Sequence, residues 1–221
     1  LSSVSDVTQG LIAYYSKKQK RIWTSTKMET KLHRKILYGG DIGKFYIKWS
    51  GDYLKYGSWL HRKRPDYVFD NEKILIQRIR NPRLGDRIIA AYDCDKYLNT
   101  NGLSNILNLE NPKFPVFLKF ILAILNSKLI NYWFSFYYKD VNIKPAQLRT
   151  IPIPKISEEN QVPIVKTVDK ILAITETEDY RSNPTQQAKV KEYERQIDQM
   201  MYKLYGLNEE EIKIVEDFDK K

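Results

Sequence analysis

Apolar and polar positions along this 221-residue chain change their period near residue 112. Before that point, short apolar runs alternate with turn residues. Lys73-Ile74-Leu75-Ile76-Gln77-Arg78-Ile79-Arg80, closed by Asn81-Pro82, has strand composition, and Ile88-Ile89-Ala90-Ala91-Tyr92 predicts a second strand. Phe45 to Trp49 and Tyr53 to Tyr56 predict two more, set off by the turns Tyr38-Gly39-Gly40-Asp41 and Ser50-Gly51-Asp52. Residues 3–25 predict a strand, a turn and an exposed basic loop at Lys17 to Arg21. His61 to Pro65 predicts another exposed loop, and Leu98 to Leu109 is mixed.

Beyond residue 112 the pattern is helical. Pro115 suits a first helical turn, and residues 115–138 are apolar nearly all round, as in a core helix. Ile151-Pro152-Ile153-Pro154 forces an extended crossing. From about Glu158 to Thr177, Ile164, Val168, Ile171, Leu172 and Thr175 share one helix face. Asn183-Pro184 starts a second helix striped by Val190, Tyr193, Ile197, Met200 or Met201, and Leu204. Residues 158–205 therefore predict a helix hairpin. Gly206 suits its C-cap, and Asn208 with Glu211 predicts a last helix over 208–219. The expected fold class is α/β of the α+β kind. A mixed, twisted-sheet lobe at 1–112 precedes a helical lobe at 113–221.

Charge follows the same division. Residues 1–110 hold 20 Lys/Arg against 11 Asp/Glu, whereas residues 111–221 hold 17 against 16. Such a split predicts a polyanion-facing surface on a helical support. The most apolar segment, Phe114 to Tyr138, is interrupted by Lys119, Asn126, Lys128 and Asn131, which argues against a membrane span. One cysteine excludes an internal disulfide and fits a reducing cytoplasm.

Catalytic chemistry finds little support. Neither His33 nor His61 stands beside a nucleophile, and two His with one Cys do not make a zinc site. Asp93 and Asp95 would raise the thiol pKa of Cys94 between them. Asn111-Pro112-Lys113-Phe114 has Lys where an amine-methylating Asn-Pro-Pro-aromatic loop needs its second Pro. The positive clusters remain as candidates for phosphate and base contact: Lys17, Lys18, Lys20 and Arg21; His61, Arg62, Lys63 and Arg64; Arg78, Arg80, Arg83 and Arg87. Tyr14, Tyr15, Trp49 and Trp59 could stack on bases, but core packing accounts for most such rings.

Several segments resemble one family in order. Gly40-Asp41-Ile42-Gly43-Lys44-Phe45-Tyr46 and Lys73 to Ile79 resemble the recognition half of the TaqI-like specificity domain. Leu125-Asn126-Ser127-Lys128-Leu129, within 124–134, is similar to that family's helix signature. Leu148-Arg149-Thr150-Ile151-Pro152-Ile153-Pro154 resembles its proline-bearing crossing, and Ile197 to Leu207 its chain end. The resemblance implies sequence-specific recognition of duplex DNA. The domain would position a target adenine for the methyltransferase domain of a type IIG restriction-modification enzyme or adenine-N6 methyltransferase, with or without a nuclease. It implies no catalysis by this chain itself, with S-adenosylmethionine held by a methyltransferase domain upstream in the same polypeptide. The competing expectation is a protein-protein assembly module built on the helix hairpin.

Overall fold

The computed structural model describes residues 1–14 and 16–218, apart from the side chain of Arg21. Tyr15, and Asp219 at the end of the expected last helix, lie outside the described residues. The first half contains β1 (Ser5–Gln9), α1 (Lys17–Trp23), β2 (Thr24–Ser25), β3 (His33–Leu37), β4 (Ile42–Gly43) and β5 (Tyr46–Ile47). It continues with β6 (Tyr53–Lys55), α2 (Tyr67–Asp70), β7 (Lys73–Gln77), β8 (Ala90–Asp93), β9 (Leu98–Asn99) and β10 (Leu103–Asn108). The remainder is helical: α3 (Leu118–Asn126), α4 (Lys128–Tyr137), α5 (Pro145–Arg149), α6 (Glu158–Thr175), α7 (Pro184–Tyr205) and α8 (Glu209–Asp217). The class is α+β, as the periodicity predicts.

The main sheet is antiparallel in the order β1-β10-β7-β8, with Val7 opposite Ile106 and Leu75 opposite Ala91. Both of its faces are covered, which is why β7 reads as a nearly continuous apolar run. Ile74, Ile76, Ala90 and Ile106 join the principal core with α3, α6 and α7. Their alternate neighbours Leu75, Ala91 and Leu103 pack on the opposite side with Leu37 and Ile42. That principal core draws on residues from both sides of position 112. A second sheet, β2-β6-β3-β9, lies over a separate small core of Leu11, Ile36, Leu54, Tyr56, Leu60 and Phe69. Residues 11–71, apart from the β4–β5 hairpin, thus pack with β9 as a small lobe on the main sheet.

Some local expectations change, among them the strand expected from Phe45 to Trp49, which covers only Tyr46–Ile47. The basic run expected as a loop is helix α1, begun by Ser16, whose hydroxyl accepts from the Gln19 amide at 3.2 Å. The expected core helix over 115–138 is two helices. Ser127 is extended (φ −69°, ψ 150°), and its Oγ donates to the Ile124 carbonyl while capping Ile130 at the start of α4. Pro115 lies before the first helix, which starts at Leu118. The last helix is described over Glu209–Asp217, with the expected Asn208–Glu211 capping box. The hairpin of α6 and α7 stands as predicted, with Gly206 left-handed at φ 73°.

The helices hold the main sheet through side-chain bonds to its edge backbone. Asn126 accepts the Ala90 amide at 3.0 Å and donates to the Ala90 carbonyl at 2.9 Å. Asn131 accepts the Ile88 amide at 2.6 Å. At the opposite edge, Arg149 donates to the Val7 carbonyl at 2.6 Å. The β4–β5 hairpin wedges between sheet and helices. Its turn residue Phe45 is buried in the left-handed region (φ 63°), donates to Ala90 O at 2.9 Å and accepts from Thr175 Oγ1 at 2.7 Å. Beside it, Lys44 meets Asp86 at 3.3 Å and Glu194 at 3.5 Å.

Asp198 sits at this junction and accepts the Lys128 amide at 2.8 Å. Burial pushes its carboxyl up to about 6, against the Lys128 amide and the Lys44 and Lys128 charges, while Glu216 adds to the rise. A carboxyl with a raised folded-state pKa binds its proton more tightly when folded. Its stabilising contribution is present below about pH 4 and disappears as pH rises through about 6. Asp198→Asn keeps an acceptor for the amide without a charge. It is expected to raise stability by about 1–3 kcal/mol at pH 7.5 and to give no gain at pH 4, read from urea midpoints at the two pH values.

Candidate nucleic-acid interface

The small lobe concentrates the charge of the chain. Residues 11–71 contain fourteen Lys/Arg and five Asp/Glu, a net of +9 within a total of +10. The backbones of Ile12 and Arg62 bond to each other in both directions, at 3.2 and 3.0 Å. This bridge brings the stretch before α1 alongside the His61–Arg64 loop, so the first two sequence-predicted clusters belong to one surface.

In the first cluster Lys17, Lys18 and Lys20 are exposed on α1. Arg21 occupies the same helix, but its side chain lies outside the described atoms. In the second cluster Arg62 is exposed and His61 half-buried. Lys63 pairs with Asp66 at 2.9 Å, and Arg64 donates to the Gly10 carbonyl at 3.2 Å. Hydrogen bonds from Lys63 and Tyr56 hold the Asp66 carboxyl below its usual range.

Many of the lobe's cations rest on aromatic rings. Lys20 lies 5.3 Å from the centre of the Tyr38 ring, Lys35 lies 4.9 Å from that of Trp49, and Lys55 lies 5.6 Å from that of Trp59. Among the described residues, no carboxylate stands within ion-pair distance of Lys17, Lys18, Lys20, Lys35, Lys55 or Arg62. An aromatic face orients an ammonium group without neutralising it, so the positive field survives at the surface.

The third cluster is built differently. Arg87 has no exposed surface and donates to the carbonyls of Arg80 at 3.0 Å and Asp140 at 2.7 Å. Arg78 is also buried and donates to Ile143 O at 3.2 Å, Asn101 O at 2.7 Å and Asn142 Oδ1 at 3.2 Å. Arg80 donates twice to the Asp86 carbonyl, at 3.2 and 2.6 Å. Burial lowers the pKa of all three guanidinium groups from the usual value. Arg78 and Arg87 tie the loop after β7 to the segment after α4, Arg80 closes that loop on itself, and only Arg83 of this cluster is exposed. A charge pattern cannot distinguish a solvated guanidinium from one that donates to buried carbonyls.

Elsewhere the chemistry is structural. Lys73 and Asp93 stand opposite each other across β7 and β8 and pair at 2.6 Å, both fully buried. Burial dominates there, lowering the Lys73 pKa and raising that of Asp93. The Cys94 thiol is raised, first by burial and then by Asp95. No group of His, Cys, Asp and Glu among the described residues could hold a metal ion. Among the described residues, no helix is long and apolar enough to cross a membrane. Sequence reasoning did not find Asn126, Asn131 and Arg149 as tethers, nor the stacking of Trp23 on Trp59. Counting charge over residues 11–71 alone would have located the basic lobe.

A small basic lobe is thus mounted on a helix-braced sheet. The chain belongs to the family of the TaqI-like C-terminal specificity domain, whose model matches residues 34–153, just over half of its length. That match contains three of the five resembling segments whole and the fourth as far as Ile153, while Ile197 to Leu207 lies beyond it. No curated protein sequence matches the chain. Its fold is similar to that of the type IIL restriction-modification enzyme MmeI in complex with DNA, at TM-score 0.57 and 10% identity. The superposition covers 96% of this chain and 36% of that enzyme. A structure from a type I restriction-modification system gives TM-score 0.49 at 16% identity, covering 99% of this chain and 44% of that one. The type IIG restriction endonuclease BpuSI gives 0.43 at 9%, covering 90% and 30%. The chain spans less than half the length of each of these proteins.

Proposed function

We propose that this chain recognises duplex DNA on behalf of a restriction-modification enzyme, with residues 11–71 as the DNA-facing lobe. The observation that carries this reading is the net charge of +9 in that lobe, together with lysines held over aromatic rings. Membership of a specificity-domain family supports it. Lys17, Lys18, Lys20 and Arg62 contact phosphates and set register; Arg21, His61, Lys63, Arg64 and Arg83 are the remaining surface candidates. Arg78, Arg80 and Arg87 serve by holding the lobe's supporting loop. The partner on the other side of the duplex is the methyltransferase domain of the same polypeptide, and the recognised site places an adenine for methylation there.

S-adenosylmethionine belongs to that domain in this reading. Gly39 and Gly40 lie in a short 3₁₀ turn, and Gly43 packs under the Tyr46 ring, so none forms a glycine-rich turn between a strand and a helix.

The test is equilibrium binding of the chain to labelled random-sequence duplex DNA across a salt series. The Lys17→Glu, Lys18→Glu, Arg62→Glu triple variant is expected to bind at least about 30-fold more weakly at low salt. Three lost phosphate contacts should also make its log K against log salt slope shallower by about 3. Equal binding by the triple and parent proteins would overturn the reading. So would capture of a protein through the α6–α7 hairpin with no affinity for duplex.

A further inference from the structure

We propose that the stacked Trp23–Trp59 pair is a base-stacking platform, on which a base of the bound duplex rests when it is partly drawn out of its stack. The proposal rests on the DNA reading above and adds a contact that charge alone does not supply.

Four observations meet at this pair. Trp59 is 40% exposed, unusually open for the largest apolar side chain. Its orientation is fixed from several sides. The indole Nε1 donates to the Lys55 carbonyl at 3.1 Å, and its ring centre lies 5.6 Å from that of Trp23 at an interplanar angle of 25°. The six-membered ring lies over Gly57, where an added Cβ would stand 2.2 Å from the ring. A glycine thus leaves the space in which the ring lies. The Lys55 ammonium lies 5.6 Å from the Trp59 ring centre, and α1 ends in Trp23 after carrying exposed Lys17, Lys18 and Lys20.

This combination favours a nucleic acid base over a protein surface. Stacking needs a rigid π face, and every base has one. The phosphates flanking a stacked base need cations nearby, and these lysines have no carboxylate partner among the described residues. Lys17 and Trp23 are six residues apart on α1, a rise of about 9 Å, which corresponds to two or three base steps along a strand. Indole and ammonium groups can therefore address the same short stretch of one strand.

The test measures binding of the chain to a fully paired duplex of about 30 bp and to the same duplex with one central mismatch, over a salt series. The variants are Trp59→Ala, Trp59→Leu, Trp59→Phe, Gly57→Ala and the Lys17→Glu, Lys18→Glu pair. Trp59→Leu retains apolar volume but has no π face, so it separates stacking from packing. Expected results are about tenfold weaker binding for Trp59→Ala, Trp59→Leu and Gly57→Ala with the salt slope unchanged. Trp59→Phe should stay within about threefold of the parent. The parent should prefer the mismatched duplex, and its indole emission should be quenched on binding. Unfolding midpoints confirm that each variant folds. If Trp59→Ala and Trp59→Leu bind like the parent while the lysine pair binds weakly, the platform is overturned and the DNA reading stands. If the parent binds no duplex at all, both fall.

Discussion

Asn126→Ala is expected to lower the unfolding free energy of the chain by about 2–4 kcal/mol, one of the two largest effects of a single substitution foreseen here. Asn126 is buried and bonds both polar groups of Ala90, whose own side chain is fully buried on edge strand β8. The Ala90 carbonyl keeps a second donor in the Phe45 amide, but its amide loses its acceptor and lies where water cannot replace it. The loss of two bonds and one stranded donor sets the magnitude. Asn126→Asp sharpens the test. A carboxylate there would still accept the amide, but its second oxygen would face the Ala90 carbonyl. Burial and that carbonyl would both raise its folded-state pKa. Stability of this variant should therefore be near the parent's at low pH and fall as pH rises through the raised value. A pH series of urea midpoints measures it, and a flat profile would refute the role assigned to Asn126.

The other large effect is expected at Arg87. Arg87→Met fills much of the same volume but leaves the carbonyls of Arg80 and Asp140 without their donors, at a cost of about 2–4 kcal/mol. Arg87→Lys should recover little of this, because one ammonium cannot reproduce a planar fork that reaches two carbonyls from a buried position. The loss should also be local. Limited proteolysis is expected to cut near Lys139 or Lys144 in both variants under conditions that leave the parent intact. If Arg87 instead contacted DNA from the surface, both variants would keep parental stability and lose affinity only.

The sequence was most informative where periodicity and capping agreed. In α7, Val190, Ile197 and Met201 are buried at helical spacing, and Asn183 and Gly206 close the two ends as their side-chain chemistry requires. Strand β7 was legible from Ile74, Leu75 and Ile76, buried between two cores. Two-residue strands such as β2, β5 and β9 carry no period, because their pairing is decided by distant partners. Helix α1 was misread because Lys17, Lys18, Gln19 and Lys20 show no apolar stripe, and its start depends on the single cap at Ser16. The break at Ser127 was hidden because the apolar residues of α3 and α4 form one run while one hydroxyl bonds both helix ends. In the clusters that charge marked at Lys17 and His61, Lys17, Lys18, Lys20 and Arg62 are exposed. At Arg78 and Arg87 the same signal marked guanidinium groups turned inward, since sequence does not show which carbonyls a fold leaves unpaired.

Asn126, Asn131 and Arg149 bond the first half of the chain through its main-chain amides and carbonyls, while Arg78 and Arg87 of that half donate to the Ile143 and Asp140 carbonyls. An attachment made this way is indifferent to which side chains the gripped strands carry. At the edges of the main sheet the helical half therefore acts as a socket that registers backbone geometry, beside the apolar core it shares with Ile74, Ile76 and Ala90. The lobe mounted in it is free to exchange its surface residues, and with them its target, without being released from its mount.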